Sequence, residues 1–339
     1  MGFFQKTKNM TDTNLLLAIT MIVFFAMYIG AMIFEGKGFL KAQTFLNMLN
    51  ANAALIIASC GMSIVMITGS IDISVGGVAA LVSMCCAVYL DYHGGNVVTA
   101  IFISLGIGLL FGLVQGYLVA YLDIQPFIVS LAGMFFARGM TTIVNTEPFN
   151  VQNEAFVKLK ETRVIVPGLG SVNKLGKYVN AYVEIGVVVA LILVIVLFCM
   201  LRWSKSGRNF YAVGGNQQSA LMLGINVKKT KFMAHLLCSL LAGIGGFVYF
   251  MHVGSGSASH ATGMEMNAIA SSIIGGTMLT GGVGNIIGTL FGVLSLSTIQ
   301  NIVSSAGLDQ AWWTGITIAA MLCLFLVIQS VVMSRKKKA

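Results

Sequence analysis

Between Leu15 and Met333 the chain returns repeatedly to apolar runs of about 20 residues, the length an α-helix needs to cross the hydrocarbon layer of a membrane. The clearest are Leu15–Ile33, Val97–Ala120, Ala181–Leu201 and Phe232–Met251. In lipid a segment must satisfy its own backbone N–H and C=O groups, so such runs fold as helices. Composition agrees: hydrophobic residues make up 57% of the chain and charged ones 9%, too little polar surface to cover a soluble globule. The net charge of +9 invites a nucleic-acid reading, but the basic residues gather at the ends of the apolar runs, where they set orientation in the membrane. No nucleic-acid partner is expected. Cys60, Cys85, Cys86, Cys199, Cys238 and Cys323 all lie within apolar runs, as small hydrophobes, and their spacing implies neither a disulfide framework nor a metal site.

Taken in order, the runs predict an all-α polytopic protein of about ten transmembrane helices, forming one membrane domain over residues 1–339 with both termini cytoplasmic. Lys6 and Lys8 before the first run, and Arg335 to Lys338 after the last, hold the two ends inside. Phe39–Asn50 is expected to lie as an amphipathic helix at the outer interface. Two spans follow, Ala51–Thr68 and Val75–Leu90, joined by polar residues that predict a helix interrupted at membrane depth. Residues 145–180 form a long external loop, and residues 202–231 a basic cytoplasmic one. Met266 to Gly284 fits either a full span or a half-helix that turns back. No internal repeat is visible. Gly108, Gly112 and Gly116 in one span, and Gly284, Gly288 and Gly292 along a later one, recur every four residues and predict close helix packing.

The basic loop from Arg202 to Lys231 carries six cations and no acid. Within it Gly214-Gly215 reads as a break, Asn216 as the cap of a short helix from Gln217 to about Leu223, and Gly224 as its stop. A short helix held out into the cytoplasm is a docking surface. Asp72, with Ser74 beside it, stands among apolar residues; an acid at this depth marks a substrate path or caps the helix that begins there. Arg138 must find a carboxylate, a carbonyl or water, and Glu265 and Asp72 are the acids available for a structural ion pair. His252, His260 and the serines between them lack the nucleophile turn and orienting acid of a hydrolase, and His235 reads as a packed residue. No catalytic residue, metal site or phosphate-binding loop is expected, so energy must come from another chain. The run Leu279-Thr280-Gly281-Gly282 imitates an ATPase signature by coincidence.

Four strings occur in one order: Thr68 to Gly76 (TGSIDISVG), Pro126 to Met134 (PFIVSLAGM), Gly207-Arg208 with Tyr211 to Asn216 (YAVGGN), and Ile274 to Gly284 (IGGTMLTGGVG). Together they resemble the permease subunit of bacterial ATP-binding-cassette sugar importers of the ribose, xylose, galactose and galactofuranose class. Met134 to Gly139 and Trp312-Trp313-Thr314 are most similar to the galactofuranose branch, in which two different permeases share a pore. The resemblance implies inward movement of a monosaccharide across the bacterial plasma membrane. It also implies a cytoplasmic ATPase that binds ATP and Mg, an external sugar-binding protein and a second permease copy, identical or paralogous. Gly214, Gly215, Asn216, Gln218, Ser219, Ala220 and Gly224 then become the ATPase coupling elbow, with Gln218 and Ser219 departing from the family's Glu and Ala. Asp72, Ser74 and Arg138 become translocation-path candidates. A permease for another small polar solute and an ion-coupled transporter are the alternatives; the second needs a relay of intramembrane acids.

Overall fold

The computed structural model describes residues 12–35, 39, 41–172, 178–308 and 310–338. Lys6 and Lys8 lie outside the described residues, as do the side chains of Arg335 to Lys338. The membrane part consists of α1 (Asp12–Glu35), α2 (Ala42–Ile67), α3 (Val75–Asp91), α4 (Val97–Ala120), α5 (Pro126–Val144) and, after an intervening segment, α7 (Ile185–Trp203). Two short helices follow, α8 (Lys205–Gly215) and α9 (Gln217–Met222), and then α10 (Val227–Val253), α11 (Met264–Ile274), α12 (Ile286–Ser305) and α13 (Ala311–Lys338). Among the described residues eight helices are long and apolar enough to cross a membrane. The two remaining embedded helices are short, α3 at 17 residues and α11 at 11. At 1.5 Å per residue they reach about 25 and 16 Å, less than the hydrocarbon thickness.

Helix ends follow local chemistry. Asn96, Asn216, Asn226 and Asn285 cap α4, α9, α10 and α12 with side-chain oxygens that accept from backbone N–H groups of the first turn. Pro126 opens α5, where its missing N–H costs nothing. Three expectations change. Phe39–Asn50 is not a separate interfacial helix: residues 42–50 are the first turns of α2, because nothing between Asn50 and Ala53 interrupts the backbone ladder. The 145–180 segment, expected to be a loop, is structured, with β1 (Phe149–Asn150), α6 (Glu154–Glu161) and the hairpin of β2 (Arg163–Val172) and β3 (Tyr178–Glu184), so the next span begins at Ile185 rather than Ala181. Gly214-Gly215 does not break the chain; both residues belong to α8, which ends at Asn216.

The core is built on α2 and α10, which run antiparallel: a Cβ on Gly61 would lie 3.1 Å from Cys238, and one on Gly245 3.2 Å from Ala54 O. Gly108, Gly112 and Gly116 bring α4 equally close to α10, facing Ser239, Leu236 and Phe232. Gly288 and Gly292 do the same for α12 against Gly275 and Ser271 of α11, whereas Gly284 precedes α12 and packs against Ile67 and Thr277 in a loop.

These contacts reveal a repeat the sequence hides. The unit α2, break, α3, α4, α5 recurs as α10, break, α11, α12, α13. In it α10 packs on α3 and α4 as α2 packs on α11 and α12, and α3 meets α5 as α11 meets α13. Because α2 and α10 point opposite ways, the two units are inverted, an arrangement that places discontinuous helices near the membrane midplane. The seams need only small residues at crossing points, so the halves share geometry without sharing sequence.

Candidate functional site

Both breaks pack against neighbouring helices. After Ile67 the chain turns through Thr68 to Ser74 and rises again as α3, with Gly69 at φ 79° making the turn. Asp72 at its centre is fully buried and closes a side-chain turn onto Ser74, the residue from which α3 starts. Its Oδ1 accepts from Ser74 N at 3.0 Å and Ser74 Oγ at 2.6 Å, and its Oδ2 from Ser239 Oγ at 3.4 Å. Gln115 Nε2 donates to Ser74 Oγ at 2.9 Å, tying α4 to the same point. Gln115 was not singled out in the sequence, although a glutamine inside an otherwise apolar run is the signal. His235, on the facing turn of α10, is fully buried with neither ring nitrogen partnered among the described residues. Asp72 and Ser74 are therefore closed in, and neither faces an open path in this conformation.

The second break runs from Gly254 to Gly263. It begins at the C-terminal end of α10, where Ser255 and Gly256 pair with β1, and runs back along α3: Gly256 stands against Ala87, and Ala261 against Gly76. Those two α3 positions are about 16 Å apart along the helix, which puts Ala261 near mid-membrane. Arg138 holds this segment, donating to His260 O at 2.5 Å and Ala261 O at 2.9 Å, with Glu265 Oε2 3.9 Å away. The acid beside Arg138 is thus Glu265 and not Asp72. Glu265 itself packs on Gly76, where any side chain would overlap it. His260 bridges Ser83 Oγ at 3.0 Å and Ser255 Oγ at 3.4 Å. His252 does find an acid, Glu184 at 2.7 Å, from a strand remote in sequence. These histidines sit in separate polar clusters, and no nucleophile is lined up with a base and an acid.

On the opposite side α8 and α9 form the elbow. Gly207, Phe210 and Val213 bury one face of α8. Tyr211 donates to Gly284 O at 2.8 Å, and burial pushes its hydroxyl up to about 12, so it stays a donor. Gly214 sits where the other elements converge: a Cβ there would overlap Ile67 O and lie 2.6 Å from Gly282 N. Gly282 N donates to that same Ile67 O at 2.9 Å. One helical turn of α8 therefore touches the end of α2, just before the first break, and the loop that links α11 to α12. Gly215, by contrast, has open space beside it.

In α9 only Ala220 is buried; Gln218 and Ser219 are exposed. Asn216 Oδ1 accepts from Ser219 N at 2.9 Å, and Gly224, at φ 76°, ends the turn in the left-handed region that favours glycine. Leu221, Met222 and Leu223 stand 65%, 88% and 79% exposed, an apolar tip not singled out in the sequence. An open cleft of about 660 Å³ runs beside it, lined by Asp123, Gln217, Gln218, Leu221, Lys228 and Lys231.

Comparison with known proteins agrees with this architecture. The family model for the branched-chain amino acid transport system / permease component matches residues 44–326. The inner membrane ABC transporter permease protein YjfF of Escherichia coli is 35% identical, over 94% of this chain and 93% of its own. The fructose import permease protein FruG of Bifidobacterium longum is 34% identical, over 84% and 81%, and the ribose import permease protein RbsC of Escherichia coli 32%, over 80% and 81%. No solved structure matches the chain. With two inverted bundles and buried helix breaks on one side, and these relatives on the other, the chain belongs to the branched-chain amino acid transport system / permease component family and, as its family and relatives are, is a multi-pass inner-membrane permease subunit of an ATP-binding-cassette transporter rather than an enzyme.

Proposed function

We propose that this permease moves a monosaccharide inward, driven by a separate cytoplasmic ATPase that grips the α8–α9 elbow, with ATP and Mg bound on that partner. An external sugar-binding protein delivers the solute and a second permease copy completes the pore. Both termini are then cytoplasmic, and residues 145–180 face outward. Relatives named as fructose, ribose and xylose import permeases support the sugar assignment, and the resemblance at Met134 to Gly139 adds galactofuranose to the candidates.

The observation that carries the driven mechanism is the elbow's construction. Its tip offers Leu221, Met222 and Leu223 to a partner, while its root at Gly214 rests on Ile67 and Gly282. A push on α9 reaches the chain beside the first helix break, and the loop that links α11 to α12, through backbone contacts that have no slack. Helix packing responds to such a push by shifting between arrangements rather than by deforming continuously. The proposed roles follow. Gln218, Ser219 and the apolar tip contact the ATPase; Asn216, Ala220 and Gly224 shape the helix; Gly214 transmits, and Gly215 gives it room to move.

The test is co-purification with the ATPase encoded alongside. Met222→Asp, at an exposed position that leaves the fold intact, should abolish co-purification and uptake together. Full co-purification of that variant would remove the elbow from the interface, and uptake persisting with the ATPase disabled would exclude the driven mechanism.

A further inference from the structure

The translocation path needs a surface that a polyhydroxylated solute can touch midway across the membrane. Asp72 and Ser74 are fully buried, and Arg138 is occupied with backbone carbonyls. The segment Arg138 holds is different. Ser259 and Thr262, on either side of the level where Ala261 meets the first turn of α3, are exposed; Ser257, next to Gly256 at the Ala87 level, is half-buried. Their hydroxyls are locally oriented: Ser257 Oγ and Ser259 Oγ are 2.9 Å apart, Ser257 Oγ accepts from Ser259 N at 3.3 Å, and Thr262 Oγ1 donates to Ser259 O at 2.7 Å.

Lipid cannot lie against such a surface. Non-helical backbone and exposed hydroxyls at this depth persist only where protein buries them or where they line water. We infer that Ser259 and Thr262, with Ser257 above them, form a solute-contact station for sugar hydroxyls that reaches to mid-membrane, with Arg138 and Glu265 as the residues that position it. This rests on the sugar-import reading above and gives that path its residues.

The chemistry suits a carrier. A sugar hydroxyl donates once and accepts twice, as a serine or threonine hydroxyl does, so each exchanges its water for the other on equal terms. Neutral contacts of this kind recognise without trapping, whereas a charge at the station would hold a polar solute too long to release it. The backbone is braced against displacement. Ala261 adopts φ 52° and Gly263 φ 79°, and the guanidinium of Arg138 bonds the two carbonyls immediately before Thr262. The station is thus presented by α5 and α3 together, and any tilt of α5 moves it.

Cysteines placed one at a time at Ser259 and Thr262, in a parent with its six cysteines replaced, test the inference in sealed vesicles carrying the whole transporter. Uptake of labelled ribose, fructose, xylose or galactofuranose by the cysteine-free parent checks the sugar reading first and independently. Both cysteines should react with a water-soluble methanethiosulfonate, while a cysteine at Ile195 on the outside of α7 should not, and the transported sugar should slow the reaction at least threefold. Ser259→Ala with Thr262→Ala should raise KM severalfold for that sugar. Unreactive cysteines in a parent that still takes up sugar would overturn the station outright. Reactive cysteines with no protection and an unchanged KM would make the segment a water-lined wall and overturn its contact with solute.

Discussion

Gly214→Ala adds one methyl group at the point where α8, α2 and the α11–α12 loop meet. That methyl would overlap Ile67 O and lie 2.6 Å from Gly282 N, so the bond from Gly282 N to Ile67 O, now 2.9 Å, must stretch or break. Overpacking of this kind costs about 1–3 kcal/mol. The weakened hydrogen bond adds about 1 kcal/mol, and alanine's better helix propensity returns up to about 1 kcal/mol. The net expectation is a loss of about 1–3 kcal/mol, read as a fall of a few degrees in the melting temperature of the detergent-solubilised protein. Gly215→Ala supplies the control: it lies in the same turn with nothing within 4 Å, so it should be neutral or slightly stabilising. The functional readout is sharper than the thermal one. If α8 transmits motion through Gly214, uptake should fall at least tenfold in Gly214→Ala with the ATPase still co-purifying, and should stay near normal in Gly215→Ala. Two variants indistinguishable in both melting and uptake would refute the coupling through this contact.

Arg138→Gln removes the charge beside Glu265 and one of the two donors to the 260–261 carbonyls, and breaking such a pair costs about 3–5 kcal/mol; the yield of folded protein should drop, with partial recovery in the Arg138→Gln, Glu265→Gln double variant, measured by size-exclusion profile and melting. Asp72→Asn keeps the shape of the buried side-chain turn but replaces one accepting oxygen with a donor facing Ser74 or Ser239, so about 1–3 kcal/mol of stability should be lost and uptake reduced while ATPase co-purification persists; unchanged uptake and melting would show that the carboxylate does no more there than an amide.

How much was legible depended on the range of the interaction responsible. Span positions, the cap at Asn216 and the stop at Gly224 were readable because each is set within one or two helical turns. Phe39–Asn50 misled because amphipathicity over a few residues says nothing about whether the helix continues into the next span. The helix α8 was missed for a similar reason: Gly214-Gly215 is a breaker locally, but here the glycines exist to let three backbones approach. Leu221 to Leu223 carried no signal beyond being apolar in an apolar chain, and only their exposure distinguishes them.

By itself the sequence determined that this is a membrane protein, where its long apolar spans lie and where the basic elbow lies, because lipid imposes length and polarity on every segment separately. Only the tertiary structure decided that the halves are inverted copies, that Asp72 is sealed while Ser259 and Thr262 are open, and that Arg138 belongs to Glu265. Those facts are set by which helices cross and at what height. A one-dimensional pattern of small and apolar residues permits many crossings, and close packing selects among them.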